Sequence, residues 1–298
     1  MPEPACTPAS PAAPVRVLLA IAAASLATAC LPGDTRPVPE SVYVTAEPSQ
    51  ALQNGFDTAD GWRITFDRLV AAVGNVDFEW DDPSCSQYAE ANYDRLFDFK
   101  AVVREKVGTI YGMGTCRVEF RLRDPSFDAL LGVGVTAADL EFMRRPGRDR
   151  FVVDEDEGVS VRLIGSATRG DETKRFEWLF RRSYDFTNCK AEGDGYATTV
   201  ELTEAQQSEL RLEMRPEEFF RASADDAADL LFQPIADADA DADGRVTLDE
   251  LSQASRTVHD DTDATPGSLE DLVYGELLPR LLRVAGAGPC EAEDRGRR

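Results

Sequence analysis

The sequence predicts a mainly β protein, an antiparallel β-sandwich over residues 41–215, followed by a small helical region over 216–290. Three observations carry this expectation. Short runs that alternate apolar and polar residues recur along the middle of the chain. Turn residues, not long amphipathic helices, fill the spaces between them. The composition, 43% hydrophobic and 29% charged over 298 residues, supplies a packed core and is unlike disordered or collagen-like chains.

The elements follow in order. Residues 16–30 read RVLLAIAAASLATAC: one Arg, an apolar run too short to span a bilayer, small residues, then Cys30. The junction Leu26-Ala27-Thr28-Ala29-Cys30 resembles the lipobox of bacterial lipoproteins, with its large aliphatic residue one place early. That resemblance implies a signal peptide over 1–29, a diacylglycerol on the Cys30 thiol, and a cell-envelope protein held on the outer membrane by its acyl chains. Residues 30–40 are then a Pro-rich tether.

The strands are expected at SVYVTAE (41–47), WRITFDRLVAAVGNVDFEW (62–80), RLFDFKAVV (95–103) and CRVEFRLRD (116–124). Further runs follow at GVSVRLIGSAT (158–168), KRFEWLFRR (174–182), TTVELTE (198–204) and ELRLEMR (209–215). In the clearest, Val118, Phe120 and Leu122 share one face while Arg117, Glu119, Arg121 and Arg123 share the other, the mark of a half-buried strand. A helix is expected near 136–145, and Asp57–Gly61 reads as a turn before a strand. Residues 291–298 read as a disordered tail.

Export brings an oxidising compartment. Cleavage at Cys30 leaves Cys85, Cys116, Cys189 and Cys290, an even set that reads as two disulfides with three possible pairings. Their positions against the strand-like runs favour Cys116–Cys189 and Cys85–Cys290. Zinc is the alternative for these four, although no CxxC spacing is present and His259 is the single histidine.

Charge narrows the function. With 55 acidic against 32 basic residues, a net of −23, the charge balance runs against non-specific binding to nucleic acids or anionic lipids, which require a basic face. No GxSxG, Gly-rich phosphate loop or HExxH occurs. Trp62, Trp80 and Trp178 suit core packing or, alternatively, a sugar-stacking platform. A carbohydrate-active hydrolase is the competing class, and it requires two acids converging in a cleft with at least one desolvated.

Between 225 and 276 the chain carries 15 Asp or Glu against Arg245 and Arg256. At the centre of this segment is Asp239-Ala240-Asp241-Ala242-Asp243-Gly244-Arg245-Val246-Thr247-Leu248-Asp249-Glu250. It resembles the twelve-residue calcium loop of the EF-hand family. Ca²⁺ takes six to eight oxygen ligands, and alternate aspartates on a tight loop turn carboxylates to one point. The resemblance implies ligands from Asp239, Asp241 and Asp243, the backbone carbonyl of Arg245, the hydroxyl of Thr247 and both oxygens of Glu250. Gly244 permits the bend. Val246 is the apolar residue that normally pairs with a second loop, yet Asp260–Asp263 has neither the Gly nor the closing Glu of one. Pro234 makes the entering helix short, and SLEDLVYGELLPRLLRV (268–284) reads as a helix interrupted at Pro279. The expected function is therefore calcium binding in a non-enzymatic envelope lipoprotein, with calcium loss loosening 225–276 alone.

The lipobox-like junction gives the first prediction. In a bacterial host the wild type incorporates labelled fatty acid and partitions into detergent, and Cys30→Ser abolishes both.

Overall fold

The computed structural model describes residues 40–79, 83–147, 157–203, 207–255 and 267–295. The signal segment, Cys30, most of the tether, Trp80, most of the acidic run 154–157 and the stretch 260–263 lie outside these residues.

The chain is mainly β. It begins with β1 (Glu40–Pro48), α1 (Gln50–Asn54), β2 (Phe56–Asp57), the sixteen-residue β3 (Arg63–Phe78), β4 (Cys85–Asn92) and β5 (Arg95–Asp98). The nineteen-residue β6 (Glu105–Arg123), β7 (Leu130–Leu131) and α2 (Ala137–Met143) follow. Next come β8 (Val161–Arg169), β9 (Glu172–Phe180), β10 (Tyr184–Thr187), β11 (Thr199–Leu202) and β12 (Ser208–Met214). A 3₁₀ turn Pro216–Phe220 leads to α3 (Gln233–Ala236), β13 (Arg245–Val246) and α4 (Leu248–Gln253). The end holds a π-type helix Asp271–Leu277, a 3₁₀ turn Leu278–Arg280, β14 (Leu282–Val284) and β15 (Glu291–Asp294).

All eight expected runs contain strands. The pairing differs from the purely antiparallel one expected. Among the described residues the strands join one mixed sheet whose main path is β13-β9-β8-β3-β6-β1-β12-β14. Neighbours β1 and β12, β5 and β7, and β9 and β13 run parallel. Parallel pairing needs a long return connection, and here the chain between each pair crosses to another part of the sheet. The long strands β3 and β6 curl the sheet: β6 meets β1 and β4 in its first half, then β3 and β10 in its second.

Alternation fills the core as the sequence dictates. Val118, Phe120 and Leu122 are fully buried, as are Trp62 and Trp178, so these two indoles pack inside and form no exposed sugar platform. Helix α2 lies where expected, started by the reciprocal bonds of Thr136 and Asp139. The stripe 268–284 is helical only to Arg280; Pro279 cannot donate a backbone bond, and Leu282–Val284 extends as β14 against β12. Glu291–Asp294, placed by sequence in a disordered tail, pairs with β10.

The four cysteines form two disulfides, with partners other than those favoured from sequence. Cys85 bonds Cys116, and Cys189 bonds Cys290. The sheet explains both. Ladder β4–β6 sets Cys85 opposite Gly114, two residues from Cys116. Ladder β10–β15 pairs Thr187 with Glu291, bringing the flanking Cys189 and Cys290 together. No thiolate remains among them for zinc. Two disulfides belong to an oxidising, non-cytoplasmic compartment. Among the described residues no helix is long and apolar enough to cross a membrane.

Beneath the C-terminal half lies a buried ionic hub. The Glu218 side chain has no exposed surface and pairs with Arg215, Arg221, Arg280 and Arg283, the last at 2.8 Å. Burial alone would raise its carboxyl; Arg221, Arg283 and Arg215 outweigh that and hold it below the usual carboxylate range.

Two predictions come from this packing. Non-reducing peptide mapping finds Cys85 linked to Cys116 and Cys189 to Cys290, and replacing both Cys189 and Cys290 by Ala costs about 2–4 kcal/mol in denaturant unfolding. Glu218→Ala costs about 3–5 kcal/mol at neutral pH, because it strands buried guanidinium groups. A depressed folded pKa gives stability that is present above the unfolded pKa and lost as pH falls. The penalty therefore shrinks below about pH 4.3, measured by the same unfolding curves.

Candidate metal centre

The acidic loop is held from both sides. On its N-terminal side, Pro234 sits in the first turn of α3, where its missing N–H is no loss. The Asp60 carboxylate caps this helix, with Oδ2 accepting the Phe232 N–H at 2.8 Å and the Gln233 N–H at 2.6 Å. The turn Asp57–Gly61 thus carries a positioning carboxylate. On the C-terminal side, Thr247 is the N-cap of α4 and Glu250 returns the bond, a reciprocal cap.

Between them, Asp239, Asp241 and Asp243 each present a carboxylate oxygen, all within 4.8 Å of one another. The turn is tight enough that Gly244 adopts φ +80° and Ala242 φ +59°. For Ala242 this left-handed conformation is unusual, and the loop's own bonds hold it. Asp239 Oδ1 accepts the Asp243 N–H and Oδ2 the Gly244 N–H, at 3.1 and 3.0 Å. Asp243 Oδ1 accepts the Arg245 N–H at 2.7 Å.

The structure brings the three aspartates together and sets Glu250 across the loop from them. Its Oε1 accepts the Ala240 N–H at 3.2 Å, while Oε2 accepts the Thr247 N–H and hydroxyl at 2.8 and 2.9 Å. Arg245 faces solvent and would offer only its carbonyl. The carboxylates grouped here are those of Asp239, Asp241 and Asp243, while Glu250 is engaged with Ala240 and Thr247; with Thr247, Glu250 and the Arg245 carbonyl the expected set is all oxygen, the donor chemistry a hard cation takes. An open groove of about 810 Å³ bordered by Asp67, Arg175, Glu177, Asp243 and Arg245 gives the loop a solvent approach.

Two features of the site were not foreseen in sequence. The first is β13. Residues Arg245 and Val246 pair in parallel with Arg175 and Phe176 of β9. The Arg175 N–H donates to the Gly244 carbonyl at 2.8 Å, and the Trp178 indole N–H donates to the Val246 carbonyl at 3.0 Å. Val246 and Leu251 are fully buried. The main sheet therefore occupies the side where a paired EF-hand would place its second loop. The second is Lys174, whose Nζ lies 2.6 Å from Asp239 Oδ2. Lys174 first, then the N–H groups of Gly244 and Asp243, hold the Asp239 carboxyl below its ordinary range; burial opposes them. A signal for Lys174 was present: alternation in KRFEWLFRR sets it on the face of Phe176, Trp178 and Phe180, where a charge requires a partner.

The two acids a hydrolase would require have a counterpart at Glu119 and Asp185. Burial, then the neighbouring Asp185, raises the Glu119 carboxyl above its usual range. Both acids are engaged, however. Arg121 Nε lies 3.0 Å from Asp185 Oδ1, Arg121 Nη2 lies 3.2 Å from Glu119 Oε1, and Arg295 pairs with Asp185. The adjoining groove of about 310 Å³ has no aromatic wall. The chain matches no protein-family model, and comparison with curated proteins and with solved structures gives no match either.

Proposed function

We propose that this protein is a calcium-binding lipoprotein of the cell envelope, non-enzymatic, anchored to the outer membrane through Cys30. In this reading the single EF-hand-like loop 239–250 is a structural clasp: the ion draws together Asp239, Asp241, Asp243, the Arg245 carbonyl, Thr247 and Glu250 and so fastens the C-terminal segment to β9. The curled sheet is read as a sandwich whose two layers share β3 and β6. The observation that carries the proposal is the convergence of three carboxylates within 4.8 Å on a loop whose strand is already paired to the sheet. A clasp suits the site better than a sensor, because a sensor needs a pair of loops free to open a groove. A carbohydrate-active hydrolase or sugar-binding sandwich, the competing reading, draws little support: Trp62 and Trp178 are buried and Glu119 and Asp185 are neutralised by arginines.

Calorimetry with CaCl₂ tests it. The expected stoichiometry is one, with Kd about 10⁻⁵ to 10⁻³ M, toward the extracellular end of the range for such loops. Glu250→Gln weakens binding far more than Asp249→Asn, since Glu250 closes the shell and Asp249 at the eleventh loop position does not. A stoichiometry near zero, or equal Kd in wild type and Glu250→Gln, reduces the loop to an acidic segment.

A further inference from the structure

Resting on the calcium reading, we propose that Lys174 is a built-in counter-cation that sets the affinity of the loop, holding Asp239 in place without calcium and opposing calcium when it arrives. Lys174 is on β9, outside the loop and 65 residues before Asp239. Its side chain is 15% exposed, and the Asp239 side chain it touches has no exposed surface. The ammonium is 2.6 Å from Asp239 Oδ2 and 3.8 Å from Glu172 Oε1, so its nearest partners are carboxylates. Oδ2 is also the oxygen that takes the Gly244 N–H, while Oδ1 takes the Asp243 N–H.

The chemistry has two opposed consequences. Three aspartates crowded into one loop repel one another, and a fixed monocation against the first relieves part of that repulsion. The loop is thereby kept closed on β9 in advance of the ion. Once a dication occupies the loop, the same ammonium faces it across one carboxylate. A unit charge about 6 Å from a dication in water opposes binding by about tenfold, less in high salt. Lys174 therefore exchanges tight binding for an ordered empty loop, which suits a protein in a calcium-rich exterior.

The test is CaCl₂ titration of the full chain at low ionic strength, comparing wild type with Lys174→Gln, Lys174→Met and Lys174→Arg. Gln and Met are expected to bind about tenfold tighter, a gap that narrows as salt is added. Arg, which keeps the charge, is expected to retain the wild-type Kd. Melting in chelator should show lower Tm for Gln and Met, and no change for Arg. Two neutral variants are used so that if one fails to fold, judged by far-UV circular dichroism, the other decides. Binding by wild type with equal or weaker binding by the folded neutral variant overturns the role of Lys174 and leaves the calcium reading standing. Absence of binding in wild type and neutral variants alike overturns the calcium reading and this inference with it. Binding by the neutral variants alone overturns the calcium reading of the wild-type chain, and with it the proposed tuning role of Lys174.

Discussion

Carboxylates crowded within one loop repel, and the contacts around residues 239–250 answer that repulsion. Backbone N–H groups of Asp243, Gly244 and Arg245 point at the aspartate oxygens, and Lys174 brings a full positive charge against the first of them. Such partial and full charges make a small anion-lined turn tolerable, but they require a fixed scaffold. Strand β9 is that scaffold. One face of its alternation supplies Lys174, then Phe176, Trp178 and Phe180, so a single strand delivers both the counter-charge and the apolar platform beneath the loop.

The platform is aromatic. Phe180 stacks on Phe219 at 4.8 Å between ring centroids, Trp62 meets Phe232 at 5.1 Å, and Phe176 and Phe232 both approach Phe220. Stacked and tilted ring pairs of this kind add to the stabilisation from the area they bury. They also join segments far apart in sequence: the lead into β3 at Trp62, β9, the turn at Pro216–Phe220 and the approach to α3. The Glu218 hub extends the link to Arg280 and Arg283, and the Cys189–Cys290 bridge closes a separation of 101 residues. All described residues accordingly belong to one compact unit, with Val246 and Leu251 of the acidic loop and its following helix in its core.

What could be read from sequence follows from the range of the forces. Strand alternation is a local pattern and all eight expected runs hold strands, and the aspartates at 239, 241 and 243, one local spacing, turn their carboxylates to within 4.8 Å of one another. The extent of β6 was not legible, because Gly108, Gly112 and Gly114 look like punctuation. Gly112 is a close approach instead: a Cβ there would come within 2.6 Å of the Phe78 ring. The disulfide partners were equally hidden, since Cys85 meets Cys116 only through the β4–β6 register. Strand β14 lay inside an apolar stripe with a helical period, and its identity depended on β12 offering an edge. Lys174 was visible as an inward-facing charge, but its partner 65 residues away was not.

These attachments bear on how far the effect of an ion could spread. A free acidic tail would loosen alone when stripped of its cation, which is what its charge by itself suggests. Here Val246 and Leu251 belong to the same buried cluster as Phe176, Trp178 and Phe220. Opening the loop would withdraw β13 from β9, strand the Trp178 indole N–H and unseat buried side chains, each at a cost. Binding at a free concentration about 100 times Kd contributes roughly 2.7 kcal/mol to whichever unit the ion holds closed. With the loop sharing a sheet and a core with everything else, that unit extends past 225–276. Were an ion bound in the loop, the linkage would fall on the cooperative unfolding of the whole domain, and protection of β9 would rise with that of the loop.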